Sequence, residues 1–241
     1  MNMVIDLGNT RLKYAVYEDR RCVYTGIGKE DMMRSLSLMT ENSGDIRVLC
    51  AVSGRWDEAL FEWIRSRAEL FMIASREMSL PVRIDYRTPE TLGMDRIAVV
   101  VGARSIYPRT NVMVVDMGTA ITYDYLTEDG RYSGGNISPG PEMRFRALHE
   151  YTAKLPLLEP CAEFGAVGDT TSSAIINGVM NGMVFEIQKY VDDFKKNNPE
   201  GIIILTGGYK CYVEHKIEGV IYVEHLNLLG LNEILIFNTL K

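Results

Sequence analysis

Two short stretches of this chain follow one plan, and their repetition limits the folds open to it. Val112 to Val115 is an apolar run rich in β-branched residues, which predicts a buried strand. It ends in Asp116-Met117-Gly118-Thr119, and a second run, Ile121 to Leu126, follows at once. A strand, a tight polar turn with a glycine and another strand make a hairpin. Near the start, Val4-Ile5-Asp6-Leu7-Gly8-Asn9-Thr10 followed by Leu12 to Tyr17 has the same order, 110 positions earlier. Val4 matches Val114, Ile5 matches Val115, Asp6 matches Asp116 and Gly8 matches Gly118. One such hairpin is an ordinary turn, because Asp and Gly are common there. One in each half reads as an internal duplication.

The residue types at these turns have a use. Gly118 lets backbone amides approach a ligand closely, and Thr119 adds a hydroxyl. Asp116, at a strand end, can hold a cation directly or through water. Two phosphate-facing hairpins across a cleft resemble the actin, hexokinase and Hsp70 superfamily. That resemblance implies an α/β fold of two duplicated, ribonuclease H-like lobes with a nucleotide site in the cleft between them. The lobes are expected at 1–109 and 110–241.

The rest of the sequence narrows the class. The chain has 241 residues, 46% hydrophobic and 24% charged, enough apolar material for a core. A net charge of −6 argues against a mainly electrostatic nucleic-acid binder. No uncharged apolar segment reaches membrane-spanning length. Only five residues precede Asp6, so a secretory signal is not expected and a cytoplasmic protein is. Cys22, Cys50, Cys161 and Cys211 show no metal spacing and read as reduced, mostly structural thiols. His149, His215 and His225 show no ligand spacing either.

Strands and helices alternate along the first half, which implies α/β architecture. Strands are expected at 23–27, 45–52, 71–74 and 82–86, and helices at 29–39, 57–70 and 97–106. Between them Arg87 to Arg96 interrupts the pattern, and Asp95 and Arg96 fall at a loop-to-helix junction. An Asp there can serve the helix N-terminus beside a surface Arg. Equally, an exposed carboxylate can take a hydroxyl proton while Arg clamps an acidic substrate. In the second half, Arg131 to Pro141 is glycine-rich without a phosphate-loop signature, and reads as a turn-rich connection bordering the cleft. Glu142 to Tyr151 and Ser172 to about Lys196 read as helices, the latter capped by Asp169, Thr170 or Thr171. Gly201 to Gly208 is a strand ending in a glycine pair, which can be a simple turn or can let backbone pass close to a flat ligand such as adenine. Gly219 to Glu224 reads as a strand, and Leu226 to Leu235 as a mostly buried helix.

Taken in order, Asp6-Leu-Gly-Asn-Thr10, Gly93-Met-Asp-Arg96, Asp116-Met-Gly-Thr-Ala120, Gly134-Gly-Asn-Ile-Ser-Pro-Gly140, Thr152 with Leu155-Pro156, Gly168-Asp-Thr-Thr171 and Thr206-Gly-Gly208 resemble the type III pantothenate kinases nearly end to end. The resemblance implies ATP-dependent phosphorylation of pantothenate to 4'-phosphopantothenate. It implies that Asp6, Leu7, Gly8, Asn9, Thr10, Arg11, Leu12 and Lys13 cradle ATP phosphates, with Asp6 near Mg²⁺, and that Thr119 contacts ATP. It implies that Asp116 binds a monovalent cation, K⁺ or NH₄⁺. Asp95 is then the general base, and Tyr86, Gly93, Met94, Asp95, Arg96 and Thr171 meet pantothenate, with Arg96 suited to its carboxylate. Members are homodimers, so Thr171 could act across the subunit interface.

Two other readings share parts of this pattern. Another small-molecule kinase on the same fold, such as a sugar kinase, keeps the hairpins, since fold does not fix substrate; the Gly93-Met-Asp-Arg96 loop argues against it. A non-enzymatic ATP-dependent switch or regulator also keeps them; a chain of this length leaves little room for a client-binding domain.

Overall fold

The computed structural model describes residues 1–8 and 11–239, with the side chains of 42 and 43 left out. The chain divides into two compact units, each described by itself. The first comprises Met1–Pro108, Gly130–Tyr132 and His225–Lys241; the second comprises Arg109–Asp129 and Ser133–Glu224.

In the first unit, β1 (Asn2–Leu7) and β2 (Leu12–Glu18) form the expected antiparallel hairpin, with Asp6 opposite Lys13 and Leu7 opposite Leu12. β3 (Arg21–Ile27) continues the meander. Helix α1 (Lys29–Ser43) returns the chain to β4 (Arg47–Val52), which pairs in parallel with β1, and α2 (Glu58–Arg65) leads to β5 (Leu70–Ile73). The sheet order is β3-β2-β1-β4-β5. Met32, Leu36 and Met39 of α1 and Leu60, Phe61 and Ile64 of α2 are buried with Met3, Ile5, Tyr14 and Val48 of the strands. The helical spacing of those methionines is therefore core packing. Asp57 caps α2 by accepting from Leu60 N at 3.0 Å, and the helix stops at Arg65, five residues short of the expected end. A two-residue strand, β6 (Arg83–Ile84), and a 3₁₀ turn at Pro89–Thr91 precede α3 (Met94–Ile106).

The second unit repeats the plan. β7 (Val112–Met117) and β8 (Ala120–Leu126) are an antiparallel hairpin with Asp116 opposite Thr122. β9 (Arg131–Pro139) lies beside β8, and α4 (Pro141–Glu150) follows. The long α5 (Thr171–Asn197) leads to β10 (Ile202–Thr206), which pairs in parallel with β7, and β11 (Ile221–Tyr222) borders it. Five strands of the six-stranded second sheet, in the order β9-β8-β7-β10-β11, match the five of the first sheet. Met180, Met183, Ile187 and Val191 of α5 pack on Met113, Val115, Tyr123 and Leu205. Thr170 is the cap of α5, in a reciprocal capping box with Ser173.

Two expectations need correction. Residues 131–139 are not a turn-rich connection but a nine-residue strand. Its inward positions begin with Tyr132 and Gly134, both buried, and a glycine has no side chain with which to register hydrophobic alternation. Second, the closing helix α6 (Leu226–Thr239) belongs to the first unit, whereas the linear division at 109/110 groups it with the second. It packs on α3, β1 and β4. The α3–α6 crossing is close because Gly102 and Gly230 meet there: a Cβ on Gly230 would collide with the Ala98 carbonyl, and one on Gly102 with the Leu226 carbonyl. Buried Asn232 seals the far end, accepting from Asn2 Nδ2 at 2.9 Å and donating to Asp19 O at 2.8 Å.

Candidate active site

In the first unit, the parallel β1–β4 pair ends at one edge, where β1 delivers Asp6, Leu7 and Gly8. Asp6 is half-buried, opposite Lys13 in the hairpin. Burial pushes its carboxyl up to about 6; Lys13 opposes that rise, the charge of Asp95 adds to it, and the amide of Asn227, donating at 2.7 Å, opposes it again. Asp6 and Asp95 are thus electrostatically coupled. Gly8 N closes the turn on Arg11 O at 3.2 Å, Arg11 is exposed, and Leu12 is buried. Asn9 and Thr10 lie outside the described residues.

The second group of candidates sits at the start of α3. Gly93 is extended at φ −67°, ψ 143° and leads into the helix, so Asp95 occupies the first turn rather than the cap. Asp95 is exposed, and its Oδ1 accepts from Arg96 N at 2.9 Å. That bond fixes the carboxylate over the bare Cα of Gly93, where a side chain would collide with Oδ1. A fixed, solvent-facing carboxylate can accept a proton from a hydroxyl delivered to it. Arg96 points the other way and is 7% exposed. Its guanidinium lies 6.0 Å from the ring centre of Tyr132, and Tyr86 approaches that ring at 6.1 Å. The guanidinium has further contacts, while Nη2 is a buried donor with no hydrogen-bond acceptor among the described residues. Tyr86, Gly93, Met94, Asp95 and Arg96 are therefore brought together, with Tyr132 as the shared support. Sequence reasoning missed Tyr132, because it falls within the stretch read as turns.

In the second unit, Asp116 is half-buried at the end of β7, beside Thr206 in the parallel register. Gly207 has φ +93°, and a Cβ there would collide with Asp116 Oδ1 and approach the Met117 carbonyl to 2.5 Å. Gly207 is thus required for the chain to pass over the Asp116 turn, whereas a Cβ on Gly208 would meet nothing within 4 Å. Tyr209 N donates to Met117 O at 3.0 Å, and Gly140 N to Thr119 O at 3.2 Å, which holds the exposed Thr119 in place. Behind this hairpin, Arg144 donates to Glu186 at 2.5 Å, and Tyr123 donates to the same carboxylate at 2.8 Å. Thr171 is exposed in the first turn of α5 and lines an open, largely apolar groove of about 850 Å³ together with Arg144, Leu148, Tyr151, Ile175 and Val179.

No group of three or more His, Cys, Asp and Glu side chains fit to hold a metal occurs among the described residues. No helix of the described residues is long and apolar enough to cross a membrane.

The sequence model of the family described as type III pantothenate kinase matches residues 2–193. The type III pantothenate kinase of Azobacteroides pseudotrichonymphae is 38% identical over 239 residues, which is 98% of this chain and 97% of its own. That of Phocaeicola vulgatus is 37% identical and covers 99% of both chains. Among solved structures, a glucokinase from an Antarctic psychrotroph covers 98% of both chains with a TM-score of 0.50 at 11% identity, a likeness of fold alone. The duplicated sheets and this likeness define a two-lobed actin-like fold.

Proposed function

We propose how this chain, which belongs to the type III pantothenate kinase family, does its work. It transfers the terminal phosphoryl group of ATP to the primary hydroxyl of pantothenate, the first step of coenzyme A synthesis. Asp95 is the general base. The observation that carries this reading is the pairing, on one helical turn, of an exposed carboxylate fixed by Arg96 N with a buried guanidinium aimed at the Tyr132 support.

Phosphoryl transfer needs alignment and charge neutralisation more than covalent help. Asp95 orients the pantothenate hydroxyl and accepts its proton as the new oxygen–phosphorus bond forms and the bond to the ADP oxygen breaks. Arg96 pairs with the pantothenate carboxylate, while Tyr86, Gly93 and Met94 line its path and Thr171 supplies a hydroxyl. The Asp6–Lys13 hairpin, with Leu7, Gly8, Asn9, Thr10, Arg11 and Leu12, cradles the ATP phosphates, and Thr119 contacts the nucleotide. Mg²⁺ supplies neutralisation of phosphate charge when bound, and Asp6 is the residue that would hold it. Asp116, near the end of β7, would hold K⁺ or NH₄⁺.

The enzyme is a cytoplasmic homodimer in this reading. Support for the dimer comes from α5, where Phe185 is 68% exposed and nothing lies within 4 Å of a Cβ placed on Gly178 or Gly182. The test is ADP release with Mg-ATP, with and without pantothenate, in potassium and then sodium salts. Pantothenate-dependent release that is lost in sodium is expected. Release indifferent to pantothenate would remove the substrate assignment, and indifference to the salt would remove the cation role of Asp116.

A further inference from the structure

The loop joining β4 to α2 is fixed to the nucleotide hairpin more tightly than a surface connection requires. Ser53 N and Gly54 N both donate to Leu7 O, at 3.0 and 2.9 Å. Gly54 lies directly on the next residue of the hairpin: a Cβ at Gly54 would collide with the Gly8 carbonyl. The loop is thereby tied to Leu7 and Gly8. Together they border an open cavity of about 560 Å³ lined by Leu7, Gly8, Arg55, Trp56, Asp57 and Glu58.

The charges in that wall are unequally committed. Asp57 is paired with Lys29 at 2.5 Å and also caps α2, and these contacts hold its carboxyl below the usual range. Glu58 accepts from the Trp56 indole at 2.6 Å, and the indole stands edge-on to Phe61 with ring centres 4.7 Å apart. Arg55 is exposed and makes no hydrogen bond or ion pair among the described residues. It is the one side chain of the cavity whose charge the fold leaves unspent. With Lys29, Arg55 balances the two carboxylates; without Arg55 the wall carries net negative charge and repels anions.

We infer that Arg55 is a phosphate-binding residue: its guanidinium reaches the phosphate chain of the nucleotide held by the Gly8 turn. A guanidinium is always charged and presents a planar fork that fits phosphate oxygens two at a time. This inference rests on the nucleotide assignment of the hairpin made above, and adds a contact from outside the Asp6–Lys13 segment.

The experiment compares the full-length wild type with Arg55→Ala, Arg55→Lys and Arg55→Glu. Calorimetric titration with Mg-AMP-PNP is paired with steady-state KM values for ATP and for pantothenate. Because Arg55 has no partner to lose, the ligand-free variants should melt within about 2 °C of wild type, in line with surface substitutions. Arg55→Ala should weaken Mg-AMP-PNP roughly ten- to a hundredfold, the usual span for a charge-assisted hydrogen bond. Arg55→Glu should weaken it further, and Arg55→Lys should recover part of the loss. KM for ATP should rise while KM for pantothenate stays within about twofold of wild type. Arg55→Glu binding Mg-AMP-PNP within about twofold of wild type would overturn the inference and leave the kinase assignment standing. Equal rises in both KM values would also overturn it, as the mark of a general distortion. A wild type that binds no nucleotide would remove the hairpin assignment itself, and Arg55 with it.

Discussion

Asn227, in the first turn of α6, donates its side-chain amide to Oδ2 of Asp6 at 2.7 Å. The last described helix thereby holds the carboxylate at the end of the first strand. Since Asp6 is the proposed Mg²⁺ ligand, this bond orients it before any ion arrives. Asn227→Ala should lower kcat/KM about tenfold and raise the Mg²⁺ concentration needed for half-maximal rate, the order of effect seen when a ligand's outer partner is removed. Initial rates over a Mg²⁺ series test it. An unchanged Mg²⁺ requirement would make the bond purely structural.

Burial lifts the Asp6 carboxyl from 3.8 to about 6, with Lys13 and Asn227 only partly offsetting it. Between those values the folded protein holds a proton that the unfolded chain has released. The sign follows: this group stabilises the fold below pH 4, and its contribution is lost as pH rises to about 6. Asp6→Asn should flatten the fall in melting temperature across that window and leave a ligand-free protein ~1–3 kcal/mol more stable at pH 7, with turnover abolished. Melting curves from pH 4 to 7.5 on both proteins decide it.

Asp95 is exposed, and its carboxylate accepts from the backbone of the next residue. Asp95→Asn keeps an acceptor for that bond, so it should fold normally while turnover falls by about a hundredfold or more. Near wild-type turnover would take the base role away from Asp95.

At the α3–α6 crossing, a methyl group on Gly230 has nowhere to go but into the Ala98 carbonyl. Gly230→Ala should cost about 1–3 kcal/mol, despite the gain in helix propensity. Because the crossing also sets Asn227 against Asp6 and carries α3 with Asp95, the same variant should lose activity. Urea denaturation beside an activity assay checks both; a stabilised, active Gly230→Ala would mean the helices part freely.

The duplicated hairpins were legible because strand, Asp-x-Gly and strand leave a signature that recurs intact at Asp6 and Asp116. The grouping of Gly93 to Arg96 was legible too, as a break between periodic segments. Other parts were hidden for physical reasons. β9 escaped notice because Gly134 occupies a buried position without a side chain. The destination of α6 was hidden because Leu226, Leu228, Leu231, Ile234, Leu235 and Ile236 are all buried, and a helix apolar on every side names no preferred partner. Asn227 and Arg55 were missed because a lone amide or arginine in a loop or helix start carries no pattern; only the fold brings each beside the Asp6 hairpin.

The return of α6 to the first unit has a consequence for the order in which the molecule can be made. Residues 1–108 precede the second unit in the chain, yet their α3 surface, with Gly102 bare at its centre, waits for a helix synthesised after the whole of that unit. The usual rule that the N-terminal half completes itself first is reversed. The second unit is the one whose segments are all in hand before α6 emerges, and the first unit is completed only after it.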